Sequence, residues 1–207
     1  MSLPAVPLTS YEPLPDVDRF VVLHGVDWET YSTFREHLDS PGVRMTYLNG
    51  ELEIMSPSRS HEGYKTIIAR LIELYALECD VPLSGYGSTT FRKALAQRGL
   101  EPDECYVVGR DLGDDDFPDI ALEVVLTSGG INKLDVYRGL GVSEVWFWRE
   151  TRFAIYRLID SGYVLQARSE FLRELDFEEL ARYAEEPDQH AALKAYQSAL
   201  RARMTAV

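Results

Sequence analysis

The sequence predicts an α/β domain in which a central mixed sheet is flanked by helices, with an N-terminal β-hairpin before it and a helical C-terminal tail after it. Three observations predict this. VRMTYLNGELEIM alternates apolar and polar residues on both sides of Asn49-Gly50, the strongest short hairpin signal. Tyr64, Ile67, Ile68, Leu71, Leu74 and Tyr75 then recur at three and four residues, the period of an amphipathic helix. Finally, DIALEVV is apolar on both faces apart from its acids, as a strand covered on both sides must be.

The elements follow in order. Residues 1–18 hold four prolines and no sustained period, which predicts an extended arm. Asp27 is placed to cap a first helix, WETYSTFREHL. After the hairpin, the long helix is expected from Ser60 to Glu78. Strands are then expected at GSTTFRK, ECYVV, DIALEVV, EVWFW, FAIYRL and GYVLQA. INKLDVYRGLG, between the third and fourth, reads as a short helix closed by Gly139 or Gly141. From Asp176 two helical segments separate near Pro187. The chain divides into the arm, 1–18, a core domain over 19–170 and a helical extension over 171–207.

The composition bounds the function. The 207 residues are 45% hydrophobic, enough to bury one core. No apolar run approaches the ~20 residues of a membrane span, and the first residues lack the pattern of a signal peptide, so the protein is expected to be cytoplasmic. Cys79 and Cys105 are outside any CxxC pattern and read as buried thiols. The formal net charge of −13 opposes non-specific adhesion to nucleic acid, which draws its affinity from Lys and Arg.

Between Gly99 and Lys133 lie nine acids, clustered around two short apolar runs. Asp103 follows proline at the mouth of ECYVV, where a turn residue is also expected. Glu123 interrupts a strand that should be buried, where an unpaired carboxylate costs several kcal/mol or takes up a proton. It requires either an arginine partner or a divalent cation, and Mg2+ is held by one or two carboxylates plus waters and phosphate. Asp119 shares the face of Glu123 but stands roughly 13 Å away along the strand, so Asp103 from the neighbouring strand is the better partner. Asp119 is left a supporting role or a second ion. Lys133, on the first turn of the next helix, can swing back toward Glu123 or stay exposed. An Asp, a Glu and a Lys converging on one end of a sheet resemble a centre for phosphodiester cleavage.

The run NGELEIMSPSRSHE, GSTTFR, LEPDECYVV, PDIALEVVLTS, INKLDVYRGLGVSEVWFW closely resembles the Uma2 family over roughly residues 40–160. That family is widespread in bacteria and multiplied in cyanobacteria. The resemblance implies a restriction-endonuclease-like core of the PD-(D/E)XK superfamily and a Mg2+- or Mn2+-dependent endonuclease acting on DNA. Asp103 matches the Asp of the PD motif and Glu123 the acid of (D/E)XK, and both are expected to hold the metal. Valine follows Glu123 where the superfamily has its lysine, and Lys133 matches the position to which this family's lysine has migrated. Glu51 and His61 match recurrent family positions: Glu51 as an added ligand, a group that orients a water or a strand carboxylate facing solvent, and His61 as an acid, base or hydrogen-bond donor at the cleft or a structural histidine; Ser56-Pro57-Ser58 is placed to set the helix start or touch phosphate. An arginine-lined face, with Arg59, Arg70, Arg92, Arg98 and Arg110 as candidates, would favour DNA over a small phosphoester. A catalytically silent binding module and a small-molecule phosphoesterase are the alternatives. Trp146 and Trp148 are expected in the sheet core or at a subunit contact, and a homodimer is implied by analogy with enzymes that cut both strands.

Overall fold

The structure, a computed structural model, describes residues 15–38, 42–113, 116–127 and 129–205. Most of the expected N-terminal arm therefore lies outside the described residues. The first strand, β1 (Arg19–His24), is followed by helix α1 (Trp28–His37), where the Asp27 side chain accepts the Thr30 amide at 2.7 Å as its cap. The hairpin is β2 (Arg44–Leu48) and β3 (Glu51–Ser56). Its turn residues Asn49 and Gly50 have φ of 47° and 94°, the left-handed pair that a two-residue reverse turn requires.

Helix α2 (Arg59–Glu78) leads to three short strands, β4 (Leu83–Gly85), β5 (Phe91–Lys93) and β6 (Arg98–Leu100). Next come β7 (Glu104–Val108), β8 (Ile120–Val124) and helix α3 (Lys133–Leu140), closed by Gly141 at φ 85°. Strands β9 (Glu144–Arg149), β10 (Arg152–Ile159) and β11 (Gly162–Gln166) precede helices α4 (Phe177–Ala184) and α5 (Gln189–Met204).

These strands form two sheets. The mixed sheet has the order β11-β10-β9-β8-β7-β4, and its one parallel pair, β8 with β9, is joined through α3 as a crossover unit. An antiparallel sheet, β1-β3-β2-β6-β5, takes in the hairpin. The expected strand GSTTFRK is thus reduced to Phe91–Lys93 and sits in the hairpin's sheet, away from ECYVV.

All five residues of β8 are buried, which explains its continuous apolar run. Ile120, Leu122 and Val124 share one core cluster with Ile68 and Leu71 of α2, with Trp146 and Trp148, and with Phe177, Leu180, Tyr196 and Leu200 of the last two helices. Both tryptophans are fully buried, so they belong to the core. Ala121 faces the other way, toward Val136, Tyr137 and Leu140 of α3. Helix α3 also touches β2, β5 and β6, and so fills the space between the two sheets. Cys105 is buried and Cys79 partly so. Among the described residues no helix is long and apolar enough to cross a membrane.

Candidate active site

The register of β7 against β8 creates the site. Glu104 pairs with Leu122 and Cys105 with Ala121, so continuing the antiparallel ladder by one residue sets Asp103 beside Glu123. Side chains alternate along a strand, and Cys105 and Ala121 face α3; Asp103 and Glu123 share that parity. Neighbouring strands are ~4.8 Å apart, and both carboxylates are buried, at 1% and 0% exposure. Asp103 Oδ2 accepts the backbone N–H of Val124 at 2.7 Å, which orients the carboxylate and satisfies an amide at the end of the ladder.

Two helix starts supply the remaining groups. Asn132 caps α3 by accepting the Leu134 amide, which puts Lys133 on the first turn, and its Nζ donates to Glu123 Oε2 at 2.5 Å. One helical turn later Tyr137 donates its hydroxyl to Glu123 Oε1 at 2.5 Å. Ser58 caps α2 by accepting the His61 amide, and its own amide donates to Asp18 Oδ1 at 2.8 Å. The buried His61 then bridges two carboxylates, with Nε2 3.0 Å from Asp103 Oδ1 and Nδ1 3.1 Å from Asp18 Oδ2. Arg44 Nε lies 3.7 Å from Asp103 Oδ1, near enough for charge attraction but too far for a hydrogen bond.

Burial raises the Asp103 pKa, but the hydrogen bond and charge of His61, with Lys133 and the Val124 amide, hold it below the usual carboxylate value. Burial lifts Glu123 above its ordinary range against the pull of Lys133. Burial would discharge Lys133, yet Glu123 and Asp103 outweigh it and raise the pKa, so the amine stays an ammonium.

Of the six candidate residues, Asp103, Glu123, Lys133 and His61 converge. Glu51 sits beside the hairpin turn, half exposed and 3.1 Å from His24 Nδ1. Asp119 stands at the opposite end of β8, where it accepts Arg110 at 3.0 Å and the Val108 amide at 2.8 Å. Ser56-Pro57-Ser58 sets the start of α2 through Ser58. The proposed arginine face is dispersed over α2, β5, β6 and the β7–β8 connection, with Arg98 and Arg110 tied into local bonds.

Sequence reasoning missed Asp18, Arg44, Glu53 and Tyr137. Glu53 is buried and accepts the amides of Gly130 at 2.7 Å and Ile131 at 3.3 Å, fixing the loop that delivers Lys133. Glu53 shares its face of β3 with both Glu51 and Met55, so strand alternation alone does not single it out. Tyr137 lies four residues after Lys133 and so on the same face of α3, but as one of the helix's apolar core residues it carries no separate signal.

Residues 28–186 match the model of Uma2, described as "Putative restriction endonuclease". The chain belongs to the Uma2 family. The Uma2 match covers α1 through α4 and every converging residue except Asp18. No curated protein matches the chain. Among solved structures it is similar to "a putative nuclease belonging to DUF820" from Anabaena variabilis ATCC 29413, at 12% identity and a TM-score of 0.49, covering 68% of this chain and 90% of that one.

Among the described residues no group of three or more His, Cys, Asp or Glu side chains is arranged to hold a metal ion. The Uma2 site nevertheless fits a hard cation. Asp103 and Glu123 supply oxygen donors from adjoining strands, and Mg2+ needs only one or two protein carboxylates when phosphate and water complete its shell. Their four oxygens accept His61, Val124, Tyr137 and Lys133, one each. A carboxylate offers about four acceptor positions, and each of these two accepts two bonds.

Proposed function

We propose that this Uma2 protein is a Mg2+-dependent endonuclease of the cytoplasm that hydrolyses DNA phosphodiesters, with Asp103 and Glu123 binding the cation, for which Mn2+ can substitute. The observation that carries this reading is the pair of buried carboxylates on adjoining strands with Lys133 held against one of them. A divalent cation held there supplies Lewis acidity toward the attacking water and the phosphate. Hydrolysis forms one P–O bond to the water oxygen and breaks one to a deoxyribose oxygen; the water's proton goes to solvent, and the leaving alkoxide takes one up. Lys133 keeps a positive charge beside the phosphoryl oxygens where negative charge accumulates. His61 and the Val124 amide fix the angle at which Asp103 presents its oxygens. Tyr137 does the same for Glu123.

Purified protein should nick negatively supercoiled plasmid, in which stretches of the duplex open transiently, in Mg2+ or Mn2+. Glu123→Gln and Asp103→Asn should each abolish nicking while the circular dichroism spectrum is retained. Equal cleavage by both variants would trace the activity to a contaminant, and unaltered calorimetric metal affinity in both would remove these carboxylates from the metal site. The −13 charge favours a second reading, a small phosphoester as substrate. Turnover of bis-(p-nitrophenyl) phosphate with intact plasmid would select it. Cutting both strands of a duplex calls for two copies, which sedimentation velocity would detect as a homodimer.

A further inference from the structure

We propose that the cleft between the two sheets beside Lys133 receives an unpaired base, so that the DNA cut here is single-stranded or frayed rather than intact duplex. This deepens the nuclease reading and rests on it for the scissile phosphate.

The cleft has a volume of about 430 Å³, within the ~300–1,000 Å³ typical of small-molecule sites. One wall belongs to the antiparallel sheet, where Phe20 and Met55 are cross-strand partners of β1 and β3. The facing wall belongs to the mixed sheet and carries Phe147 and Tyr156, whose rings meet edge to face at 5.8 Å and 84°. Directly opposite Phe147 in the β9–β10 register is Ala154, and this small residue leaves room where a larger one would close the gap. Phe20, Phe147 and Tyr156 are only half-buried, so aromatic surface remains available on both walls.

The polar lining includes two cations, Lys133 and Arg149. Lys133 lines the cleft and joins it to Glu123. Arg149 stands exposed on the lining. The two lining carboxylates already have partners: Glu53 is held by the Gly130 and Ile131 amides, and Asp18 by His61 and the Ser58 amide. A nucleotide with its base between the aromatic walls would lay its phosphate toward Lys133.

Among DNA substrates, the overall charge weighs against an intact duplex. With a net charge of −13, broad phosphate contact along a duplex cannot supply the affinity that a basic groove would. Stacking on aromatic rings is independent of protein net charge and tolerant of sequence, and it requires a base free of its partner.

The test is a titration, in EDTA, of oligodeoxythymidylate carrying one 2-aminopurine, against the same strand in a duplex. Quenching is expected on the single strand, with at least tenfold weaker affinity for the duplex. Ala154→Trp, which fills the gap, and Tyr156→Ala, which removes one wall, should each weaken single-strand binding about tenfold with melting temperature retained. Equal signals for single strand and duplex, or unchanged affinity in a folded Ala154→Trp variant, would overturn the assignment. Plasmid nicking without quenching sinks the base pocket and spares the nuclease reading. Quenching lost in Ala154→Trp, with no DNA cut under any metal, sinks the nuclease reading and leaves the pocket.

Discussion

His61 Nε2 and Asp103 Oδ1 lie 3.0 Å apart in the interior of the protein, and the second nitrogen of the same ring reaches Asp18 at 3.1 Å. A neutral imidazole donates from one nitrogen only, so bridging two carboxylates calls for the imidazolium. Burial pulls the His61 pKa down, but the hydrogen bonds and charges of Asp103 and Asp18 outweigh it and raise it from 6.5 to about 9. A folded value above the unfolded one contributes stability in full below about pH 6.5, and that stability is lost as pH rises through 9. The amount is on the order of 3 kcal/mol. In metal-free buffer the melting temperature should fall between pH 7 and 9.5, and His61→Gln should lack that slope. A wild-type melting temperature that stays flat across the window would rule out the charged bridge.

The Lys133–Glu123 pair predicts non-additive stability. Removing one partner of a buried pair strands the other charge and costs about 3–5 kcal/mol. Lys133 is 16% exposed on its side chain, so Lys133→Met belongs at the low end and Glu123→Gln, which strands the ammonium, is similar. The double variant should recover much of the loss in urea unfolding. Two costs that simply add would mean that the ions are independently solvated.

Gly129 predicts a steric effect transmitted to the site. A Cβ there would meet Glu53 Oε2 at 2.6 Å, and that carboxylate is pinned by two amides. Gly129→Ala must push Glu53 off the Gly130 amide and should cost about 1–3 kcal/mol, the penalty for the buried Glu53 carboxylate losing a bond that satisfies it. Since the same loop delivers Lys133, plasmid nicking should fall as well. Full activity at unchanged melting temperature would show that the loop adjusts freely.

Glu51 and Asp119 should separate structure from chemistry. Glu51→Gln touches only the half-exposed contact with His24, so nicking rate and melting temperature should match the wild type. Asp119→Asn loses the Arg110 ion pair and weakens the Val108 cap, and should lower the melting temperature while leaving nicking measurable. A Glu51→Gln variant unable to cut DNA would move that carboxylate into the reaction centre.

Much of this was readable in the chain because local signals carried it. Asn49-Gly50, the Asp27 cap and the long period of α2 each specify an element without help from elsewhere, and Glu123 drew notice as a charge in an apolar run. The rest depends on contacts distant in sequence. Three-residue strands such as β4 and β6 have no period to detect, and β1 becomes a strand only by pairing with β3. Glu53 and Glu51 look equivalent in ELEIM, and only the docking of the Gly129–Gly130 loop 77 residues later distinguishes them. Tyr137 reads as an ordinary apolar helix residue, since its ring is core and only its hydroxyl meets Glu123.

Helix α5 places Ala192, Tyr196 and Leu200 in the same core as Ile68 and Leu71 of α2, and Arg201 holds Glu78 at the end of α2 with two bonds of 2.8 and 2.7 Å. A ribosome delivers the chain from its amino end, so part of the apolar face of α2 stays bare until residues 189–204 have emerged. Nascent molecules that stall before that point would present this greasy strip to chaperones and proteases, and quality control would clear them before half-built copies could accumulate.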